Sequence, residues 1–200
     1  MLTQGDQMNV LKAVIGKLRW RLSSRRKLLL ELPKGSVGVE VGVHLGDFSS
    51  RILSEVNPAK LFLVDPWMIF DSAEYSNALY GGKAAGQAEM DDRHESVVRR
   101  FQSEIKTGVV EIHRGTFRDL VEQNVSGFDW VYIDGDHTYE AVKADLTLAL
   151  ATIKRPGLIC GDDLQTDNWW GDDVESAVRK FCSRHQLQLT VIGNQFIIRV

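Results

Sequence analysis

The segment EVGVHLGDFSS, residues 40–50, has the residue types of a loop that binds a small charged ligand between a strand and a helix. Gly42 leaves no Cβ to obstruct a sharp turn of the chain off the strand. Gly46 would let a ligand approach the backbone where the next helix begins, and the free N–H groups there suit a carboxylate or phosphate. The GxxxG spacing differs from GxGxxG, so a loop that binds a dinucleotide pyrophosphate fits poorly.

Two acids beside this loop indicate what the ligand carries. Glu40 lies within the preceding strand, where a carboxylate would repel a pyrophosphate but could hold an ammonium group. Asp65 ends the next strand, where it can accept hydrogen bonds from ribose hydroxyls. An amino acid joined to a ribose describes S-adenosylmethionine. The competing interpretations are a paired core acid for Glu40 and a turn cap before Pro66 for Asp65.

A second group of candidate residues follows the later strands. Asp134, Asp162 and Asp163 could together hold a hard cation such as Mg²⁺, which prefers oxygen ligands. Such a cation would lower the pKa of an acceptor hydroxyl and orient it. His137 is the candidate general base, because its ordinary pKa is near neutral, and Asp134 is its partner in catalysis. Alternatively, His137 only orients its loop and the acid pair caps the following turn.

Aromatic side chains are candidate walls for a methyl acceptor or lid. The connection between Asp65 and residue 89 is unusually long for a compact domain, which is typical of functional loops. The candidate substrate residues are Trp67, Tyr75 and Tyr80 in this loop, and Trp169 and Trp170 after the acid pair. Their rings could stack on a carbohydrate or an aromatic ring. The alternative is packing within the protein, with no ligand role.

Alternating strands and helices would position these residues. Strands are predicted at residues 36–43, 60–64, 109–113, 128–133, from 158, at 187–192 and at 195–200. Helices are predicted at residues 10–32, 48–56, 89–106, 117–123, 138–153 and 174–185. This alternation predicts an α/β fold with three layers, a doubly wound and mostly parallel sheet, and a closing hairpin at Gly193-Asn194. Ligands of such sheets bind beyond the carboxyl ends of the strands, where the candidate acids lie.

Composition narrows the class of protein. A chain of 200 residues that is 44% hydrophobic can bury the core of one domain, and no apolar run approaches the roughly 20 residues that span a bilayer. The sequence shows no secretory pattern, so we expect a cytoplasmic protein. Cys160 and Cys182 are too few for a disulfide framework, and reduced thiols are expected.

Charge is distributed unevenly along the chain. Residues 1–34 carry eight Lys or Arg against two Asp or Glu, whereas the remainder is acidic. We predict a basic helical extension over residues 1–34 and a single catalytic domain over residues 35–200. The extension would pack on its own domain or pair two subunits into a homo-oligomer. Nucleic acid is not an expected partner, because an acidic body repels phosphates and no binding motif is present.

The motifs also resemble a known family. The pattern E-x-G-x-x-x-G, followed by a strand that ends in Asp65, resembles the first two motifs of class I S-adenosylmethionine-dependent methyltransferases. The segment DWVYIDGDHTYEAVKADL, residues 129–146, resembles the small macrocin-type sugar O-methyltransferases, and the resemblance covers about residues 36–200. It implies a Rossmann-like sheet of seven strands with the last one antiparallel.

The resemblance also implies roles for particular residues. Glu40, Gly42 and Gly46 would line the methionine end of the cofactor, Asp65 would hold the ribose, and Thr116 would lie near the adenine. An acid after the fourth strand would join an acid pair after the fifth around a metal ion, as Asp134, Asp162 and Asp163 are spaced to do.

These observations favour one function over two others. We expect O-methylation of a small hydroxylated acceptor by S-adenosylmethionine, with Mg²⁺ as a candidate cofactor. A NAD-dependent oxidoreductase would share the fold type and Asp65, but it is disfavoured by Glu40 and by the absence of GxGxxG. A non-catalytic cofactor-binding protein is the third interpretation, and it would not need the acids after the fourth and fifth strands.

Overall fold

A computed structural model describes residues 16, 19–20, 22–164 and 170–200 of the chain. Its strands are β1 (Val37–Val41), β2 (Lys60–Asp65), β3 (Val110–Arg114), β4 (Phe128–Ile133), β5 (Ile153–Gly161), β6 (Gln188–Ile192) and β7 (Gln195–Arg199). Its helices are α1 (Ser24–Leu29), α2 (Asp47–Val56), α3 (Gln87–Arg100), α4 (Gln102–Lys106), α5 (Phe117–Glu122), α6 (Tyr139–Thr152) and α7 (Asp173–His185), with a 3₁₀ turn at Ala73–Tyr75.

The strands form one sheet in the order β3-β2-β1-β4-β5-β7-β6. Strands β1 to β5 are parallel, and β7 runs antiparallel between β5 and β6. The predicted α/β fold is therefore confirmed, including the antiparallel last strand. The chain builds outward from β1 to one edge and then returns to place β4 on the other side of β1. Connections diverge at that switch point, which opens a crevice at the carboxyl ends of β1 and β4.

Helices cover both faces of the sheet. On one face α6 buries Val142, Leu146 and Ala149, which is the stripe that its 3.6-residue period predicts. On the other face α2 buries Phe48 and Ile52, together with apolar residues of α1 and α3. Each such large side chain contributes roughly 1.5–3 kcal/mol when it is fully removed from water. The two cores hold the strand ends, and hence the candidate acids, in fixed positions.

Three predicted elements differ from the observed ones. The predicted helix over 89–106 divides at Phe101, which is buried and ends α3 before α4 begins. Strand β5 begins at Ile153 rather than at residue 158, because its ladder with β4 continues across an irregularity instead of ending at the Pro156-Gly157 turn. The predicted N-terminal helix is interrupted at Ser23, whose extended backbone and side chain cap α1 at Arg26 N.

The N-terminal segment packs on the domain that follows it. Leu28 and Leu29 of α1 are fully buried in the same core as Ile52 and Ile197. Residues 1–15, which include the start of the predicted helix, lie outside the described residues, and the division into an extension and a domain stays a prediction. Within the described part of the chain, no helix has the length and apolar character needed to cross a membrane.

Candidate active site

The loop after β1 depends on two glycines in left-handed conformations. Gly42 has φ +92°, and a Cβ added to it would lie 2.0 Å from the carbonyl oxygen of Asp134. This close approach joins the β1 loop to the β4 loop and explains why only glycine fits. Gly46 has φ +75° and precedes α2, but its neighbour is the ring of Phe101, which an added Cβ would meet at 2.7 Å. Its conformation is therefore required by packing as well as by the turn.

Glu40 is a buried acid with an unsatisfied oxygen. The residue is only 1% exposed, and its Oε2 has no hydrogen-bond partner among the described residues. Burial raises the pKa of Glu40 to about 8, and the nearby Ser49 hydroxyl opposes that shift only in part. A buried polar atom without a hydrogen-bond partner lowers the stability of the fold, and such an atom is a candidate for binding a ligand. A cationic group bound beside Glu40 would satisfy both its oxygen and its charge.

Asp65 organises the loops that follow β1 and β2. Its Oδ2 accepts hydrogen bonds from the backbone N–H groups of Val43 and His44, both at 2.9 Å. The same oxygen accepts a third hydrogen bond from the Tyr80 hydroxyl at 2.7 Å, while Oδ1 accepts from Trp67 N at 2.8 Å. The first two donors belong to the backbone and fix the carboxylate. The Tyr80 hydroxyl occupies the position at which a ribose hydroxyl was expected.

The long loop after β2 is folded over this crevice. Tyr80 donates to Asp65, and the Tyr75 hydroxyl donates to Asp136 Oδ2 at 2.5 Å. Burial and the carboxylate of Asp65 raise the pKa of Tyr80, so its hydroxyl stays a donor. Trp67 is fully buried, and its indole N–H donates to the His44 carbonyl at 3.0 Å. It presents no surface to an acceptor, so it acts as an anchor of the loop instead of the substrate wall that the sequence predicted.

Thr116 lies at the carboxyl end of β3, where the resemblance placed a contact with adenine. Its hydroxyl accepts from Asp119 N at 3.2 Å and donates to Asp119 Oδ2 at 2.7 Å. The two residues form a capping box at the start of α5. The backbone N–H of Thr116 also donates to Asp119 Oδ2, at 2.7 Å, so the hydroxyl and the N–H are both engaged in this cap.

Asp134, His137 and Asp163 converge on the same end of the sheet. His137 Nε2 lies 2.9 Å from Asp163 Oδ2 and 3.7 Å from Asp134 Oδ1. Burial alone would lower the pKa of His137, but its two carboxylate partners outweigh burial and raise that pKa to about 9. Burial raises the pKa of Asp134, although His137 and Arg25 oppose the shift. The His137 ring is stacked on Trp170 with centroids 4.2 Å apart.

Asp162 faces a different partner, which the sequence did not predict. Arg25 of α1 donates from Nε to Asp162 Oδ2 at 2.5 Å and from Nη2 to Asp134 Oδ2 at 3.0 Å. The other oxygen of Asp162 accepts from Gln195 Nε2 and from Asp163 N. Gln195 in turn accepts from the buried Tyr132 hydroxyl at 3.0 Å. The only signal in the sequence was the excess of basic residues before an acidic body, which does not single out Arg25.

The predicted magnesium site of three carboxylates is not assembled in this structure. The group of acids and histidine with ligand atoms within 4.8 Å of one another consists of Asp134, His137 and Asp163 among the described residues. Mg²⁺ demands near-octahedral oxygen coordination, whereas this group contains an imidazole and Asp162 is committed to Arg25. The residues present therefore do not fit Mg²⁺. Trp169, the remaining candidate, lies outside the described residues.

Comparisons with known proteins agree with the observed fold. A family profile described as a methyltransferase domain matches residues 39–164. No curated protein matches the chain. Among solved structures, the O-methyltransferase TomG from Streptomyces achromogenes, in complex with S-adenosylmethionine, aligns with TM-score 0.55 and 16% identity over 94% of this chain and 79% of its own. An O-methyltransferase from Bacillus cereus aligns with TM-score 0.56 and 13% identity over 94% and 96% of the two chains.

A third structure, NovP, is also an O-methyltransferase and aligns with TM-score 0.60 and 18% identity over 90% of this chain and 78% of its own. Identities this low establish the fold and leave the substrate open. The family profile, in contrast, spans more than half of the chain, from within β1 to just beyond the acid pair. The chain therefore belongs to the methyltransferase-domain family.

Proposed function

We propose that this chain is an S-adenosylmethionine-dependent O-methyltransferase that acts on a small hydroxylated acceptor, such as a sugar or a natural-product-like molecule. The observation that carries the proposal is the buried Glu40 carboxylate, whose Oε2 has no partner among the described residues. It lies on β1, two residues before the turn at Gly42. An ammonium group is the ligand that such a carboxylate would bind most favourably.

The crevice fits the rest of the cofactor once the lid residue Tyr80 moves. Glu40 would hold the amino group of the methionine moiety, and Asp65 would accept from the ribose hydroxyls in place of Tyr80. The backbone bonds from Val43 and His44 keep the Asp65 carboxylate oriented during this exchange. Thr116, two residues beyond the end of β3, would lie near the adenine. When bound, the cofactor supplies an electrophilic methyl group on a positively charged sulfur.

The residues beyond β4 and β5 would receive the proton that the acceptor hydroxyl loses. His137 Nε2 is buried against Asp163 and Asp134, so its N–H faces these carboxylates and the proton of the acceptor hydroxyl would go to Nδ1. The acceptor oxygen would form its bond to the methyl carbon as the carbon–sulfur bond breaks, and the two carboxylates would stabilise the resulting imidazolium. Because the pKa of His137 is about 9, the neutral imidazole that accepts a proton is a minor species at neutral pH. No step of this proposal passes through Mg²⁺, since the carboxylates do not assemble a site for it.

Aromatic surface beside His137 supports a ring-shaped acceptor. Trp170 is stacked against the imidazole, and the Tyr75 hydroxyl bonds Asp136 from the folded loop. A sugar or phenolic ring placed between these groups would bring its hydroxyl toward His137 and would be shielded from water. The neighbour TomG is an O-methyltransferase involved in tomaymycin synthesis, which supports a natural-product-like acceptor.

Binding measurements distinguish this function from a NAD-dependent oxidoreductase. Titration calorimetry with S-adenosylhomocysteine should give a complex in the micromolar range, whereas NAD should give no heat. Glu40→Gln removes the charge that faces the ammonium group and should weaken S-adenosylhomocysteine binding by about tenfold to a hundredfold, as expected for a hydrogen bond between charged groups.

The matched control is Glu122→Gln, which changes an exposed glutamate at the end of α5 and should leave the affinity unaltered. Equal affinity of wild type and Glu40→Gln would contradict the assignment of Glu40. Tight binding of NAD without binding of S-adenosylhomocysteine would reject the proposed function itself.

A further inference from the structure

The carboxylates that follow β4 and β5, Asp134 and Asp162, are already bound to a cationic side chain, Arg25. Asp134 and Asp162 each follow the last paired residues of adjacent parallel strands, Ile133 and Gly161, so their side chains emerge side by side. Arg25 binds both of them through two different nitrogens. Asp162 is 7% exposed and Asp134 15%, so two acids this close and this buried require a positive charge between them.

The position of Arg25 is fixed by its own element. Helix α1 is capped by Ser23 and held by the buried Leu28 and Leu29. The next residue, Arg26, binds Glu55 of α2 at 3.1 Å. The guanidinium carbon of Arg25 lies 5.1 Å from the centre of the Phe48 ring. A guanidinium that is held on one side by an aromatic face and on the other by two carboxylates is preorganised and always charged.

Among the described residues, these contacts leave only one oxygen of the two acids, Asp134 Oδ1, free for a divalent ion. Both oxygens of Asp162 are occupied, one by Arg25 and the other by Gln195 and by Asp163 N. Asp134 uses Oδ2 for Arg25 and turns only Oδ1 toward His137. A metal ion bound to these two carboxylates would have to displace the guanidinium from them.

We propose that the guanidinium of Arg25 is the resident cation of this site and replaces the divalent ion for which the two acids would otherwise be suited. Arg25 is a positioning residue: it neutralises the acid pair and fixes Asp134 so that its free oxygen meets His137. The catalytic consequence rests on the proposed methyl transfer, whereas the cation assignment does not. Methyl transfer by the wild type therefore proceeds in EDTA.

The cation assignment is tested without any substrate by following Mn²⁺ with electron paramagnetic resonance. The wild-type protein should leave the signal of free Mn²⁺ unchanged at protein concentrations of tens of micromolar. Arg25→Ala should bind one Mn²⁺ per chain, and the double variant Arg25→Ala/Asp162→Asn should lose that binding again. Arg26→Ala removes a guanidinium from the same helix without touching the acids, and it should behave like the wild type.

Turnover tests the positioning role. Arg25→Ala should lower kcat by about a hundredfold, the effect expected when a reacting group is misplaced by about 1 Å, while the KM for S-adenosylmethionine changes by less than about threefold. Added guanidinium ion should restore part of kcat in Arg25→Ala and have no such effect on Arg26→Ala. If Arg25→Ala does not fold, Arg25→Lys, which can reach only one acid at a time, should show the same loss of kcat to a smaller extent.

Three results would overturn the proposal. Wild-type protein that binds Mn²⁺ through Asp162, or that loses methyl transfer in EDTA, has a metal ion where Arg25 is assigned. A folded Arg25→Ala protein that keeps full kcat and gains no Mn²⁺ shows that the guanidinium is dispensable. If no methyl transfer is found for any variant, the proposed function fails, but the Mn²⁺ measurement still decides the cation assignment.

Discussion

At the scale of single residues, the two ends of the crevice differ in their electrostatics. At one end Glu40 is buried with no ion-pair partner among the described residues, and burial raises its pKa to about 8 although Arg25 opposes the shift. At the other end the acids are neutralised by Arg25 and His137, and the pKa of His137 is raised to about 9. Burial of the Glu40 carboxylate without a partner lowers the stability of the ligand-free protein, and a bound cationic ligand would remove that effect. The end with Arg25 and His137 is already balanced within the protein, so it is suited to move a proton and not to recruit a metal ion.

The raised pKa of Glu40 predicts how stability depends on pH. Because the native carboxyl holds its proton up to about pH 8, whereas the unfolded one releases it near its ordinary value of 4.5, the ligand-free protein loses stability as pH rises through that window. Glu40→Gln removes the loss and should raise the free energy of unfolding at pH 8 by on the order of 2 kcal/mol, measured by urea denaturation. The difference should vanish below pH 4.5. A variant less stable than wild type at pH 8 would show that the carboxylate is paired after all.

The raised pKa of His137 predicts the pH profile of turnover. Only the neutral imidazole accepts a proton, so kcat should rise with pH and level off near pH 9. His137→Gln should lower kcat by roughly 10²–10⁴-fold and abolish the levelling at that pH. His185→Gln, which changes an exposed histidine near the end of α7, should keep the wild-type profile. A wild-type rate that falls between pH 7 and 9 would assign the proton to another group.

The same histidine should make the protein less stable as pH rises, whereas it makes turnover faster. Its folded pKa lies above its unfolded value of 6.5, so its ion pairs stabilise the protein fully below pH 6.5. That contribution is lost as pH rises toward 9. Rate and stability are therefore expected to respond in opposite directions to alkaline pH.

At the scale of elements, the long loop between β2 and α3 is the proposed lid, and two hydrogen bonds tie it down. Tyr80 bonds the acid that is assigned to the ribose, and Tyr75 bonds Asp136 in the β4 loop. Backbone strain is found at the same end of the sheet, since His44, Trp67 and Asp163 have positive φ angles where β1, β2 and β5 end. Such strain at strand ends is typical of positions that are shaped for a ligand.

Removal of the Tyr80 hydroxyl should strengthen cofactor binding and not weaken it. Tyr80→Phe deletes the donor that competes with the ribose, so S-adenosylhomocysteine no longer has to break a hydrogen bond to a carboxylate, worth about 1.5–3 kcal/mol. Its affinity should increase by about tenfold, as measured by titration calorimetry. Tyr75→Phe releases the loop from Asp136 without touching Asp65 and should change the affinity by less than about threefold. Weaker binding by Tyr80→Phe would mean that the hydroxyl contacts the nucleoside directly.

At the scale of the whole molecule, local sequence patterns are sufficient to predict the sheet, but they do not predict which side chains bind the acids at its edge. Short apolar runs mark the central strands and a 3.6-residue period marks the helices; Gly42 and Asp134 follow their strands, and Asp65 ends β2. Contacts between distant segments leave no such pattern: Arg25 meets an acid 137 residues away, and Tyr80 covers Asp65 by folding of an irregular loop. The burial of Trp67 likewise depends on a distant segment, because its ring packs against His94 of α3 with centroids 4.9 Å apart.

A crystal structure with S-adenosylhomocysteine tests the proposed position of the cofactor most directly. We expect its amino group within hydrogen-bond distance of Glu40, its ribose hydroxyls on Asp65, and Tyr80 displaced from that carboxylate. Density for the nucleoside elsewhere, or an unaltered bond between Tyr80 and Asp65 with the ligand bound, would contradict the account.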